Sequence, residues 1–152
     1  MSLQTDIESA MRAAMKARDA VRVSTLRLAM AAAHNRQIEL GHELTDAEVV
    51  EVLNRQAKQR RESIELYREG GRRELADAEE AELAILREFL PEPLTDAELE
   101  RLARDAVAAT GASGPADMGR VMGVLAPQTR GRADGKAVSE LVRQLLSEGS
   151  AE

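Results

Sequence analysis

Leu3, Ile7, Met11 and Ala14 recur at the i, i+4, i+8, i+11 spacing that lines one side of an α-helix. After Arg18-Asp19 a second face runs through Val23, Leu26, Met30, Ala33 and Gln37, and Gly41 marks its end. Leu44-Thr-Asp-Ala-Glu48 then reads as a capping box: Thr45 can accept from the Glu48 amide while the Glu48 side chain returns to the Thr45 amide. Leu44 and Val49 are spaced to staple that helix start. A third helix follows through Leu53, Ala57, Ile64 and Tyr67 to Gly70-Gly71. The fourth carries Leu75, Leu83, Leu86 and Leu90, and Pro91 and Pro93 end it.

The second half is shorter. Leu94-Thr-Asp-Ala-Glu98 restarts the chain with the same five residues, but the likeness stops after the cap, so it is read as shared helix initiation rather than a repeat. A fifth helix uses Leu99, Leu102, Ala106 and Val107 up to Gly111. The sixth starts at Ser113 to Pro115, turns Met118, Val121, Met122 and Leu125 inward, and is closed by Pro127. A loop from Gln128 to Gly135 leads to the last helix, with Val138, Leu141, Val142, Leu145 and Leu146. The expected architecture is all-α, an N-terminal four-helix bundle over 1–92 and a C-terminal three-helix bundle over 93–152.

Composition sharpens this picture. Hydrophobic residues make up 43% of the 152 and charged residues 32%, but Tyr67 and Phe89 are the sole aromatics. Ala, Leu and Met lose little freedom in a helix, whereas the β-branched and aromatic residues that favour strands are scarce apart from Val. Cysteine is absent, which excludes a disulfide framework, a thiolate metal site and a Cys nucleophile. The start of the chain lacks the basic and apolar stretches of a signal peptide, and no apolar run reaches the length of a membrane span. The expected setting is cytoplasmic, with no membrane partner.

Little in the sequence can do chemistry. His34 and His42 lie eight apart with Gly41 between them, unlike the i, i+4 pair of a zinc helix, and they read as solvated residues near a helix end. The serines sit in no strand-to-helix elbow, and no phosphate-binding loop of the G-x-x-x-x-G-K-[ST] kind is present. Glu79, Glu80 and Glu82 read as a polar helix face rather than paired catalytic acids. No catalytic residue, metal or cofactor is expected.

Charge patterning offers more. The net charge of −6 argues against a surface that is basic throughout, but two basic islands interrupt it. Arg55, Lys58, Arg60 and Arg61 fall within a stretch free of acids, for which pairing with Glu51, Glu62 and Glu65 along the same helix is the preferred reading and RNA binding the weaker one. Arg120, Arg130, Arg132 and Lys136 are expected to converge on the loop after Pro127, Arg120 only if its helix points that way. Gly131 and Gly135 free the backbone there, and Asp134 can cap a last helix whose N-terminal amides suit an anion. Gly119 and Gly123, four apart, would let another backbone approach closely.

Met118-Gly-Arg-Val-Met-Gly-Val-Leu-Ala-Pro127, Gly131-Arg-Ala-Asp-Gly-Lys136 and Val138 to Leu146 resemble the GatB/YqeY tail domain, which YqeY-like proteins share with one component of the tRNA-dependent amidotransferase. Met11 to Ala17, Arg27 between Leu26 and Leu28, Leu44 to Glu48, Gln59 to Ile64 and Glu88-Phe-Leu-Pro-Glu92 extend the likeness to YqeY-like proteins over essentially the whole chain. The resemblance implies a four-helix domain followed by a three-helix domain, and a link to tRNA. In the amidotransferase a separate, larger portion makes the amide bond. A label such as carbon–nitrogen ligase with glutamine as amido-N-donor would therefore transfer an activity whose site has no counterpart here. The leading expectation is a non-catalytic module that binds tRNA or an enzyme carrying it, through Arg120, Arg130, Gly131, Arg132 and Lys136. The alternative is a protein-interaction adapter, and an enzyme in its own right is the weakest reading.

Overall fold

A computed structural model describes residues 2–150. Seven α-helices and no strand occur among the described residues: α1 (Leu3–Ala17), α2 (Ala20–Leu40), α3 (Asp46–Glu69), α4 (Arg73–Arg87), α5 (Asp96–Thr110), α6 (Met118–Thr129) and α7 (Gly135–Ser150). A single 3-10 turn, Pro115–Asp117, precedes α6. The chain divides into two compact units, Met1–Pro91 with α1 to α4 and Glu92–Glu152 with α5 to α7.

The threonine caps form as the sequence requires. Thr45 accepts from the Glu48 amide at 3.2 Å and the Glu48 carboxylate accepts from the Thr45 amide at 3.0 Å, a complete box. The Thr45 amide is the leading cause that holds the Glu48 carboxyl below its ordinary range. Leu44 and Val49 share one core cluster, as a staple demands. Thr95 repeats the first half of that box at α5.

In the first unit Ile7, Leu26, Ala29, Val49, Leu53 and Leu86 bury together, and Ala57, Ile64, Ala76 and Leu83 form a second cluster between α3 and α4. Leu75 does not join them, since it is 43% exposed. Ala76 stands seven residues before Leu83, close to two helical turns, and takes the inward position that Leu75 misses by most of a right angle. The α4 helix also ends before its prolines. Glu88, Phe89 and Leu90 donate to carbonyls three residues back, a tightened last turn ahead of the extended geometry that Pro91 imposes on Leu90.

The second unit closes on Ala103, Ala106, Val121, Leu125, Val138, Val142, Leu145 and Leu146. Pro127 does not close α6, which continues to Thr129. A proline here frees the carbonyl four residues back, which belongs to the exposed Gly123 and can turn to water. The α6–α7 connection is thereby only Arg130 to Asp134, shorter than the expected Gln128 to Gly135.

Candidate nucleic-acid interface

The backbone of the α6–α7 connection is a type II turn. Arg130 has φ −57° and ψ 126°, Gly131 has φ +81°, and the Arg132 amide donates to the Thr129 carbonyl at 2.9 Å. Only the third position of such a turn needs positive φ, so Gly131 is required by the fold. Gly135 has no such requirement: as the first residue of α7 its φ is not positive. Thr129 anchors the turn from beneath. It is 4% exposed, its hydroxyl donates toward the Leu125 and Ala126 carbonyls at 3.4 Å, and its carbonyl also accepts from Ala133 at 3.0 Å.

Arg132 faces the segment that leads into α5. Its Nε donates to the Glu92 carbonyl at 3.0 Å, and its own carbonyl accepts from the Leu94 amide at 2.8 Å. These two bonds tie the turn to the start of the unit, so Arg132 positions the corner. Sequence reasoning misses Glu92 and Leu94 because both bond through main-chain atoms, which leave no residue signature.

Arg130 and Lys136 stand on either side of this tie. Both are exposed, and neither has an ion pair among the described residues. Asp134 directly precedes α7 and its carbonyl accepts from Val138 at 3.0 Å, but its carboxylate caps no first-turn amide among the described residues, which leaves those amides without a side-chain partner. With Arg130, Arg132 and Lys136 against Asp134, the loop keeps a positive excess in a chain of net charge −6. Lys136 sits at the helix end where a cation is disfavoured and an anion favoured, an arrangement that an incoming phosphate would relieve.

Arg120 does not converge on this corner. It lies in the first turn of α6, whereas Arg130 is its C-cap, about 15 Å along the axis. Its guanidinium bonds Asp117 at 2.6 Å and the Thr110 carbonyl at 3.3 Å, holding the 3-10 turn against the end of α5. The Ser113 amide, followed by Arg120, holds the Asp117 carboxyl below its ordinary range.

The α3 island also divides. Arg60 is clamped between α4 carboxylates, Glu82 at 2.6 Å and Glu79 at 3.4 Å, with only 12% of its side chain exposed. The expected partners Glu51, Glu62 and Glu65 are not used by any member of the island. The neighbouring helix supplies the acids instead, because Arg60 points inward toward α4. Arg55, Lys58 and Arg61 remain exposed without an ion pair among the described residues.

Among the described residues, one surface depression of about 330 Å³ lies beside Arg104 and Leu145 and another of about 640 Å³ beside Met15 and Arg27; the ionisable residues lining these two are arginines. No group of three or more His, Asp or Glu suited to a metal occurs among the described residues. His34 is exposed, and His42 leans on the Glu43 carbonyl at 2.8 Å. No helix among the described residues is long and apolar enough to cross a membrane.

A family model described as Yqey-like protein matches residues 4–146. An uncharacterized protein of Schizosaccharomyces pombe is 33% identical over 91 residues, which cover 60% of this chain and 74% of that protein.

Proposed function

Since the chain belongs to the Yqey-like protein family, matched from residue 4 to residue 146, we propose that it is a non-catalytic binding module for structured RNA, tRNA in the first place, and that the α6–α7 corner is the contact surface. The observation that carries this reading is the pair of exposed cations Arg130 and Lys136, without an ion pair among the described residues, at the two ends of the connection into the uncapped first turn of α7. Phosphates can bind there by charge and by main-chain N–H groups together, with no base-specific chemistry required. The likeness of Met118 to Leu146 to the amidotransferase tail supports tRNA as the ligand. The cytoplasm, where tRNA is used, is the compartment that fits this role.

Arg132 belongs to the scaffold of this surface, so the decisive variant changes Arg130 and Lys136 alone. Gel shift against bulk tRNA at about 50 and 200 mM salt should show binding that weakens steeply with salt. The Arg130→Ala/Lys136→Ala double variant should flatten the log–log salt slope by about two units, on the order of one for each lost phosphate contact. Equal slopes for the double variant and the parent protein would remove the corner from the account.

A further inference from the structure

The α2 helix is apolar on two sides. Thr25, Leu26, Ala29 and Ala33 are its buried residues. On the other side Val21, Ser24, Leu28, Ala31, Asn35 and Ile38 are all exposed, Val21 at 49%, Leu28 at 51% and Ile38 at 66%. Their spacing is 3, 4, 3, 4, 3, the seam of a two-stranded coiled coil with one asparagine at a core position. The stripe is about 26 Å long. No described residue of the first unit buries it.

Beside the N-terminal half of the stripe, Met15, Arg18, Ser24, Arg27 and Leu28 border the open depression of about 640 Å³. Met15 is 53% exposed. Arg18 and Arg27 have no ion pair among the described residues, and no carboxylate lines the depression. His34 continues the Arg27 flank one heptad on. The other flank ends in Glu39, which Arg36 already holds at 2.9 Å. The carboxylates nearest this face are Glu39 and Asp19, the latter accepting from the Arg22 amide at 3.1 Å. A second copy would thus offer Arg18 and Arg27 only carboxylates that already have partners, and the surface complements itself poorly.

We infer that the outer stripe of α2 docks an amphipathic helix of a partner protein that is acidic along the flank facing Arg18 and Arg27. Apolar side chains of that helix fill the seam around Leu28 and the depression next to it. Its carboxylates meet Arg18 and Arg27, and a polar residue opposite Asn35 fixes the register. The partner surface lies on the first unit and stands independently of the RNA corner.

The test uses the full chain and a fluorescein-labelled synthetic helix with Leu at the seam positions, one Asn among them, Glu at the flank that faces Arg18 and Arg27 and Gln at the other. A sister peptide carries Lys in place of Glu. The Glu peptide should raise the anisotropy with a Kd on the order of micromolar, and the Lys peptide should bind at least about tenfold more weakly. Leu28→Asp should abolish the signal, and Arg27→Glu or Arg18→Gly should weaken it several-fold. Arg18→Gly keeps the fold because glycine readily adopts the Arg18 backbone, at φ +58°. Circular dichroism should be unchanged in all three, and Arg130→Ala/Lys136→Ala should bind the peptide normally. Four results overturn the inference: no binding of the Glu peptide, equal binding of both peptides, displacement of the peptide by tRNA, or self-association that Leu28→Asp abolishes.

Discussion

The Nε of Arg132 lies 3.0 Å from the carbonyl oxygen of Glu92, while Arg130, two residues earlier, makes no side-chain bond among the described residues. Two arginines in one five-residue connection thus do different work, and substitution separates them. Arg132→Ala should lower unfolding free energy by about 1 kcal/mol, the usual net worth of a hydrogen bond, because solvent exposure offsets the extra strength that the guanidinium charge gives it. Arg130→Ala should stay within about 0.5 kcal/mol of the parent, as exposed substitutions do. Urea melts of the two variants, set beside their tRNA affinities, should show Arg132 acting on stability and Arg130 on binding. A stability loss at Arg130 equal to that at Arg132 would contradict the division.

The helices are legible in the sequence because their signals are local. Thr45 with Glu48, and glycines at 41, 70 and 111, act within one turn of where they stand, and sequence order reports that directly. Arg60 is illegible for the opposite reason: its acids lie on α4, and no spacing along α3 reveals which way a guanidinium turns. Charge alone groups Arg120 with the loop, and the axial length of α6 separates them. The outer stripe of α2 is hidden because the inward face already satisfies a helical period, and a second period on the same helix adds no new boundary. Chemistry that depends on two elements meeting is legible only once they have met.

Arg60 should be the costliest basic residue of the α3 island to remove. Its guanidinium is shared by two carboxylates that are themselves about three-quarters covered, with side-chain exposures of 24% for Glu79 and 25% for Glu82. Arg60→Ala leaves both acids facing each other with no cation between them. The expected loss is about 2 kcal/mol, less than for a wholly buried pair because water reaches both acids. Arg55→Ala, on the open side, should change stability by less than about 0.5 kcal/mol. Chemical denaturation of the two variants in parallel decides the matter, and equal melting would show that the clamp contributes nothing.

Acid should weaken the second unit through Asp117. The amide of Ser113, and after it the Arg120 guanidinium, hold that carboxyl below its ordinary range in the folded chain. A folded pKa below the unfolded one means the unfolded state takes up the proton first. The contribution is therefore whole above the ordinary aspartate range and is lost as pH falls through the folded value. Glu48 acts in the same direction in the first unit, chiefly through the Thr45 amide. Asp117→Asn should accordingly flatten part of the acid limb of stability against pH, measured from about pH 6 to about pH 2, and leave the part due to Glu48. An acid limb identical to that of the parent protein would mean that Asp117 keeps its partners when protonated.

Gly119 and Gly123 lie four apart on exposed positions of α6, and a Cβ built on either meets no atom within 4 Å. Their φ values are not positive, so neither turn geometry nor packing inside the unit requires glycine. In a helix interior glycine is about 1 kcal/mol less favourable than alanine. Gly123→Ala should therefore raise stability by about that amount, and Gly119→Ala by somewhat less, being nearer the helix start. If these bare positions exist for a ligand backbone to come near, the more stable double variant should bind tRNA more weakly at every salt concentration while keeping the parent salt slope, because no charge has changed. A stabilised double variant with unaltered tRNA affinity would confine the RNA contact to the Arg130 end of α6. A double variant that is not stabilised would instead show that these positions have an intramolecular role that the open space around them conceals.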